Sequence, residues 1–535
     1  MKLNKLITAS VAASVCFTLS CTKLDETELL YDTVTSANFY KTDAELASAV
    51  GAAYNNLYGL LGNGNIFSVQ EVPSDEIVVP QRGADWGDGG HWVRLKQHAY
   101  KIDDPMIINS WNFGFSGVTN CNKLLVAVSE STSPNAPAYV SELKALRAIY
   151  YLWLIDLFGN VPITTDFTNV APPATKPRAE VYAFIEKELL ENADALPKEG
   201  YADGPFYSRV TYYTAQAALL RLYLNAQVYK GTPEWDKAIA TADIIINSGK
   251  FALMSNYIDN FKRDNKGSSE FIWAVPYDGV KAGGNNIVMM TLSYLNQDTY
   301  KINAQPWNGF ATTAEFYKSY IDPALNPGPQ GEVVGLSPLG TKVTGTVDKR
   351  LSNFLVGPQY AANGTTRLLD GGADLTDPDG PPLTFTPYIN ELLPNAWRQS
   401  GARIGKYQFY TGILQNADND FPIYRYADVL LMKAEAVARK NNNWNDPVTL
   451  AIVNQIRTTH GGVDPLGSLT AESFLAERGR EMFAETVRRT DMIRFGTFNR
   501  AFDWHAADGD THWNLFPIPA TQINANPNLV QNPGY

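Results

Sequence analysis

Two loops carry the residues best suited to chemistry. Between Glu71 and Trp92 the chain reads EVPSDEIVVPQRGADWGDGGHW, which brings Asp75, Arg82, Asp85, Trp86, Asp88 and Trp92 into one short span. Tyr300–Phe316, YKINAQPWNGFATTAEF, sets the indole of Trp307 beside the amide of Asn308 in a turn between Pro306 and Gly309. Sugar recognition asks for flat aromatic faces against C–H patches, ringed by amides, carboxylates and guanidinium groups that set orientation. Gly83, Gly87, Gly89 and Gly90 permit tight turns that push Trp86 outward. The competing readings are structural. Trp86 and Trp92 would be buried to steady their loop, and Trp307 would plug a junction between two halves of the molecule. Arg403, in GARIGKY, and Tyr424 flank the return to regular helical pattern. For Arg403 a structural salt bridge is the stronger alternative.

Other constellations carry less. Asp374, Asp377 and Asp379 fall in the glycine-rich run DGGADLTDPDG, where clustered carboxylates could hold calcium. The spacing is not that of an EF-hand loop, so a solvated acidic loop is preferred and no cofactor is expected. The five histidines, His91, His98, His460, His505 and His512, show no metal-ligand spacing, and no metal site is expected. GNGN at Gly62–Asn65 is too partial for a phosphate loop. Neither a nucleophile elbow nor a Walker loop is present. A glycoside hydrolase would need two carboxylates roughly 5–10 Å apart across a cleft. With 55 acidic residues such a pair is possible, but no motif announces it. A net charge of −11 with no basic footprint argues against nucleic acid as partner.

The elements that must position these loops are helical. Lys2 and Lys5 precede an apolar run from Leu6 to Leu19, too short to span a bilayer and suited to a signal peptide over residues 1–20. It ends in Thr18-Leu19-Ser20-Cys21, where small residues before a cysteine resemble a bacterial lipobox and point to lipidation of Cys21; an ordinary signal peptide with an incidental cysteine is the alternative. Cys16 would leave with the signal and Cys121 would remain a free thiol. Helical periodicity then covers Asp43–Leu61, Asp104–Ser129, Ala138–Phe158, Pro177–Leu196, Thr211–Tyr229 and Trp235–Ser248, and resumes over Tyr424–Lys440 and Pro447–Thr459. Paired helices at about 34 residues per pair predict tetratricopeptide-like stacking. An irregular all-α domain is the alternative. Residues 62–103 and 251–423 lack sustained helical period and are rich in Gly, Pro, Asn and aromatics. Long irregular segments of that kind are usually functional.

Leu469–Gly496 reads as one further helix, with Thr470 as cap and Leu469 and Phe474 as staple. It carries Glu477, Arg478, Arg480, Glu481, Glu485, Arg488, Arg489, Asp491 and Arg494. A solvated, salt-laced face is the competing reading of that charge density. The order ERGRE, then RRTDMIRFG, followed by LFPIPATQINANPNLVQNPGY, closely resembles the C-terminal signature of the SusD/RagB family of Bacteroidetes surface lipoproteins. In the tail, Pro517, Pro519, Asn524, Asn526, Pro527, Asn528, Gln531, Asn532, Pro533 and Gly534 carry the resemblance. ALRAIYYLWLIDLFGNVPI, PSDE and RGADWGDGGHW are also similar to the family.

The resemblance implies a mostly α fold, a tetratricopeptide-like helical-pair superhelix of about four pairs with a large loop-rich, minor-β subdomain inserted. Residues 21–535 would form a single domain. Its helical scaffold would lie near 36–61, 104–250 and 424–496, its ligand-binding portion near 62–103 and 251–423, and its extended tail at 497–535. It also implies a non-enzymatic glycan-binding lipoprotein at the outer membrane, facing the cell exterior, that serves nutrient uptake in polysaccharide utilisation. Such a protein captures an oligosaccharide and delivers it to a SusC-like TonB-dependent transporter. The expected glycan contacts are Asp75, Arg82, Trp86, Trp92, Trp307, Asn308, Arg403 and Tyr424, and a neutral fructan or plant-type glucan is the expected ligand class. A surface glycoside hydrolase and a tetratricopeptide-type peptide adaptor are the alternatives.

Overall fold

The computed structural model describes residues 40–201, 204–321, 348–370 and 382–535. The signal segment 1–20, Cys21 and the acidic turn with Asp374, Asp377 and Asp379 lie outside the described residues. Ten helices of eight or more residues occur among the described residues: α1 Asp43–Tyr54, α2 Pro105–Ser129, α3 Ala136–Phe158, α4 Arg178–Ala193, α5 Tyr212–Leu224, α6 Trp235–Asn247, α7 Tyr426–Lys440, α8 Pro447–Ile456, α9 Ala471–Met482 and α10 Arg488–Phe495.

Apolar periodicity becomes a stack. α2 packs on α3, α3 on α4, α4 on α5 and α5 on α6. α6 then packs on α7, although the chain between them, residues 248–425, leaves the stack and returns; α8 packs on α7 in turn. Each helix hides its neighbour's apolar face, which is tetratricopeptide-like stacking. Leu143, Leu146, Tyr150, Leu154 and Leu157 of α3 are fully buried. α2 comes close because Gly114 and Gly117 have no side chain. A Cβ at Gly117 would stand 2.4 Å from the Tyr150 ring, and one at Gly114 2.5 Å from Leu154. The helix expected over Asp43–Leu61 ends at Tyr54 and tightens into a 3₁₀ turn, Asn55–Gly59.

The single helix expected over Leu469–Gly496 is two helices. Thr470 does cap α9, accepting from the Ser473 amide at 3.2 Å, and Leu469 and Phe474 are buried in one cluster. The chain then leaves helical geometry at Phe483 (ψ 130°), and Ala484 and Thr486 adopt left-handed φ of 57° and 61°. The turn frees the amides of Ala484 and Thr486 to donate to the buried carboxylates of Glu76 and Glu71. α10 folds back on α9, and Arg488 donates to the Leu475 carbonyl at 2.9 Å.

Nor are the charges of this segment a solvated face. Glu477, Arg478, Glu481, Glu485, Arg488, Arg489, Asp491 and Arg494 are buried, and buried charges persist only when paired. Arg350 reaches Glu477 at 2.6 Å and Glu481 at 3.1 Å. Arg425 reaches Glu481 and Glu485 at 2.7 Å each, and Glu270 at 3.2 Å. His460 lies 2.8 Å from Glu481, and Lys406 lies 2.6 Å from Glu485. Burial pushes Glu477 up, but the guanidinium groups of Arg350 and Arg480 outweigh it and hold the carboxyl at about 2. Burial pushes His460 down, yet Glu481 and Glu270 raise it to about 10, so it is an imidazolium.

The inserted portion is held by short antiparallel pairs: Ile77–Val78 with Ala311–Thr312, Phe271–Val275 with Phe421–Arg425, and Phe354–Leu355 with Arg403–Ile404. The pairing of Phe271–Val275 with Phe421–Arg425 joins the two ends of the insertion beside α7. The Asn- and Pro-rich tail closes the other side of the scaffold. A helix ends with carbonyls that lack intrahelical partners. The Phe516 amide donates to Leu157 at 2.8 Å, and the Asn532 side-chain amide donates to Phe158 and Phe516 at 2.8 and 2.7 Å. Asn526 and Asn528 reach the carbonyls of Pro173 and Pro172 at 2.8 Å each. These amides explain chemically why the tail is built of asparagine.

Candidate functional site

The two chemically loaded loops meet. Arg82 and Asp85 close a tight turn through Arg82 N to Asp85 O at 2.9 Å, after which Trp86 takes a left-handed φ of 59°. The second loop is pinned from below: the amides of Trp307, Asn308 and Gly309 donate to the carbonyls of Met289, Leu292 and Met290 at 2.7, 2.9 and 2.8 Å. Trp86 Nε1 donates to the Trp307 carbonyl at 2.6 Å and locks one loop onto the other. The Trp86 ring sits 5.4 Å from Trp92, 5.6 Å from Phe310 and 6.5 Å from Trp307, centroid to centroid. Gly309 makes room for it, since a Cβ there would stand 2.2 Å from the indole.

Above this cluster lies a depression of about 670 Å³, open to solvent and lined by Asn63, Asp85, Trp86, Asp88, Tyr294, Gln305, Pro306 and Trp307. Trp86, Trp307 and Tyr294 are half-buried, so each keeps aromatic surface in water; Asn63, Asp85, Asp88 and Gln305 are exposed. The Tyr294 hydroxyl donates to Asp85, and Trp92 Nε1 donates to Asp88 at 2.8 Å. Arg398 stands 5.1 Å from the Tyr294 ring centre and pairs with Asp370 at 3.1 Å. Three aromatic faces ringed by amides and carboxylates are therefore present.

Of the eight expected contacts, the structure places Trp86 and Trp307 in the depression and the other six elsewhere. Trp92 is 3 % exposed and forms the layer beneath Trp86. Arg82 and Arg403 are buried because the loops around them lack ladder hydrogen bonds and their carbonyls need donors. Arg82 donates to the carbonyls of Asn308, Trp397 and Ser400 at 2.7, 2.5 and 3.0 Å. Arg403 donates to those of Ser400, Gly401 and Arg398 at 2.5, 2.7 and 2.5 Å, and to Asn308 Oδ1 at 2.9 Å. The salt bridge weighed for Arg403 is thus replaced by backbone carbonyls. Burial lowers Arg82 to about 10 and lowers Arg403 as well, with Arg82 adding to the latter. Asn308 is buried with its amide on the Arg398 carbonyl at 3.1 Å. Asp75 accepts both Nε and Nη2 of Arg488 at 2.7 Å. Tyr424 is buried, stacked 6.2 Å from Trp273 with Arg221 4.4 Å from its ring. None of the six lines the depression; Arg82, Trp92, Asn308 and Arg403 pack behind it, whereas Asp75 and Tyr424 belong to the junction with the helices.

Sequence reading missed three lining residues. Asn63 stands in the GNGN run, which was weighed only for phosphate, and Gln305 directly precedes Pro306-Trp307. Tyr294, in TLSYLN, has no local signal.

The fold and the depression define a helical-repeat scaffold that displays an aromatic-lined surface site on inserted loops. Comparison with known proteins makes the class specific. The SusD family model matches residues 394–535, and a model described as starch-binding and associating with the outer membrane matches residues 26–224. The starch-binding protein SusD of Bacteroides thetaiotaomicron is 26 % identical over 497 residues, 88 % of this chain and 85 % of that one. A SusD-like protein of Bacteroides ovatus is 21 % identical, covering 85 % of this chain and 76 % of its own. Among solved structures, surface glycan-binding protein A from Bacteroides thetaiotaomicron in complex with laminarihexaose superposes with a TM-score of 0.71 at 22 % identity, covering 92 % of this chain and all of that one. A laminarin-binding SusD-like protein gives 0.68 at 20 %, covering 93 % and all. These structures share the fold. The chain belongs to the SusD/RagB family.

Proposed function

We propose that this protein captures a neutral oligosaccharide at the cell surface, on the depression between Trp86 and Trp307, and passes it to an outer-membrane transporter of the SusC-like, TonB-dependent type. The observation that carries the reading is the meeting of three half-exposed aromatic faces, Trp86, Trp307 and Tyr294, lined by carboxylates and amides, with Arg398 against the Tyr294 ring and paired with Asp370. Indole and phenol faces cover sugar C–H patches; Asp85, Asp88, Asn63 and Gln305 accept from and donate to hydroxyls. Carboxylates on the rim and a net charge of −11 disfavour a strongly anionic polysaccharide. Relatives named for binding starch and laminarin support a glucan-type ligand.

Binding rather than cleavage fits the depression. Asp85 and Asp88 are exposed and each is held by an aromatic donor, whereas an acid catalyst normally sits in an apolar pocket. Lipidation of Cys21 would tether the protein to the outer membrane through its acyl chains, without a transmembrane helix. A donor to a transporter must release its cargo, so micromolar to millimolar affinity is expected, about 4–8 kcal/mol.

The test is calorimetric titration of the purified protein against neutral and anionic oligosaccharides, with free reducing ends assayed in parallel. Saturable binding of a neutral glycan without new reducing ends is the expected result. Accumulating reducing sugar would overturn the reading in favour of a glycoside hydrolase.

A further inference from the structure

Behind the helix His91–Lys96, which carries Trp92, three side chains with metal-binding atoms converge from distant parts of the chain. His98 follows that helix, while His505 and Asp508 lie in the loop after α10. His98 and Asp508 are 410 residues apart, so no spacing rule could have paired them. One ligand atom from each of the three lies within 4.8 Å of the others.

The hydrogen-bond chemistry of the cluster is incomplete. His98 Nε2 is 2.8 Å from the Pro73 carbonyl, which can only accept, so Nε2 bears the hydrogen. In a neutral ring, Nδ1 then turns a lone pair toward Asp508 Oδ2 at 2.8 Å. Two acceptors at that distance need a cation between them, a proton or a metal ion. His505 decides which. It is 5 % exposed, its ring lies 4.0 Å from that of His98, and neither of its nitrogens has a hydrogen-bond partner among the described residues. Its Nε2 stands 3.6 Å from Oδ1 of the same Asp508 carboxylate. A proton on His98 leaves His505 orphaned against the Phe502 ring, and an unsatisfied buried polar group is costly. A metal ion bound by one nitrogen of each histidine and by Asp508 gives His505 a partner for one nitrogen and fills the gap between His98 and Asp508.

We propose that His98, His505 and Asp508 form a metal site for a borderline divalent cation, zinc foremost. Two imidazoles and one carboxylate with an open fourth position is a zinc donor set, and imidazole disfavours calcium and magnesium. The two spacings to Asp508, 2.8 and 3.6 Å, bracket the roughly 3.3–3.5 Å expected between tetrahedral zinc ligands, and all three ligand atoms lie within 4.8 Å, so a small rotation of the His505 ring closes the site. An outer shell already exists: the Pro73 carbonyl orients His98, and the Asn499 amide donates to Asp508 Oδ2 at 2.9 Å. Lys96, the neighbouring cation, is committed to the carbonyls of Ser74 and Ile77. The ion would clip the loop after α10 to the segment Pro73–His98, the segment that carries Trp86, and so brace one wall of the depression.

Tag-free protein stripped with EDTA is titrated with zinc chloride against a chromophoric chelator, and the loaded protein is examined by X-ray absorption at the zinc edge. One equivalent bound at micromolar affinity or tighter, with two imidazole nitrogens in the coordination shell, is the expected result. His505→Gln and Asp508→Asn each weaken binding by about 100-fold, whereas His512→Gln leaves it unchanged. Circular dichroism of the metal-free variants checks that they fold, and Asp508→Asn carries the test if His505→Gln does not. Absence of stoichiometric zinc binding, or unchanged affinity in both variants, overturns the proposal. Sugar binding is not the readout, so this result stands apart from the capture reading.

Discussion

Replacing Arg425 with methionine removes the central cation of the buried network while keeping most of its volume. The guanidinium donates to Glu485 at 2.7 and 2.8 Å, to Glu481 at 2.7 Å and to Glu270 at 3.2 Å. All three carboxylates are essentially inaccessible. They keep other partners, with His460 on Glu270 and Glu481, Arg350 on Glu481, and Lys406 on Glu485. Stripping one partner from a buried pair costs about 3–5 kcal/mol, and the variant should lose that much. The pH dependence carries the signature. In the wild type, burial raises Glu481, but His460 and Arg425 outweigh it and hold the carboxyl well below its usual range. A depressed carboxyl adds stability above its unfolded value near 4.5 and loses it as pH falls toward the folded value. The wild type therefore weakens on acidification below about pH 4.5. Without Arg425 the Glu481 carboxyl loses one of the cations that hold it down and moves back toward 4.5. The variant then has less stability to lose on acidification, and its deficit narrows as pH falls from about 5 to about 3. Urea denaturation at both pH values reads this directly. A deficit under about 1 kcal/mol, or one equal at both pH values, would refute the argument that charge compensation holds this junction together.

Three further outcomes follow from named contacts. Burial raises Glu71 to about 7, so the folded chain holds a proton that the unfolded chain releases near 4.5, and stability declines as pH rises through that window. Glu71→Gln should remove the decline and melt higher than wild type at about pH 8. Gly309→Ala forces a methyl onto the Trp86 indole; it should cost about 1–3 kcal/mol in thermal denaturation and weaken glycan binding in calorimetry. Asn532→Ala leaves the carbonyls of Phe158 and Phe516 without their donor, and should cost about 1–3 kcal/mol by chemical denaturation.

The helical scaffold was legible because burial on one face leaves a 3.6-residue period. α2 and α3 differ from their expected spans by one and two residues at their starts, and both end at the expected residues. Leu469–Gly496 was misread because its apolar spacing is continuous through the break. The turn at Phe483–Val487 is set by Glu71 and Glu76, some 400 residues away, whose carboxylates take its amides. Among the expected contacts, the surface position of Trp86 and Trp307 was legible from composition, since indoles in glycine- and proline-rich turns have few ways to hide. The burial of Arg82, Arg403 and Asn308 was not, for the converse reason. A polar side chain beside a tryptophan reads as a ligand group, but an irregular wall consumes such groups to satisfy its own carbonyls. Tyr294 reaches the depression only through tertiary packing, and no local pattern marks it.

The central claim is that sugar lies on exposed aromatic faces and not on the buried residues behind them. Calorimetric titration of the glycan that binds, with wild type, Trp307→Ala and Tyr424→Phe compared side by side, tests it most directly. Losing roughly 80 Å² of apolar contact is worth about 2 kcal/mol, or about 30-fold in affinity. The account predicts that loss for Trp307→Ala and no change for Tyr424→Phe, whose ring is sealed between Trp273 and Arg221. Unchanged affinity in Trp307→Ala, or a comparable loss in Tyr424→Phe with the fold intact, would contradict it.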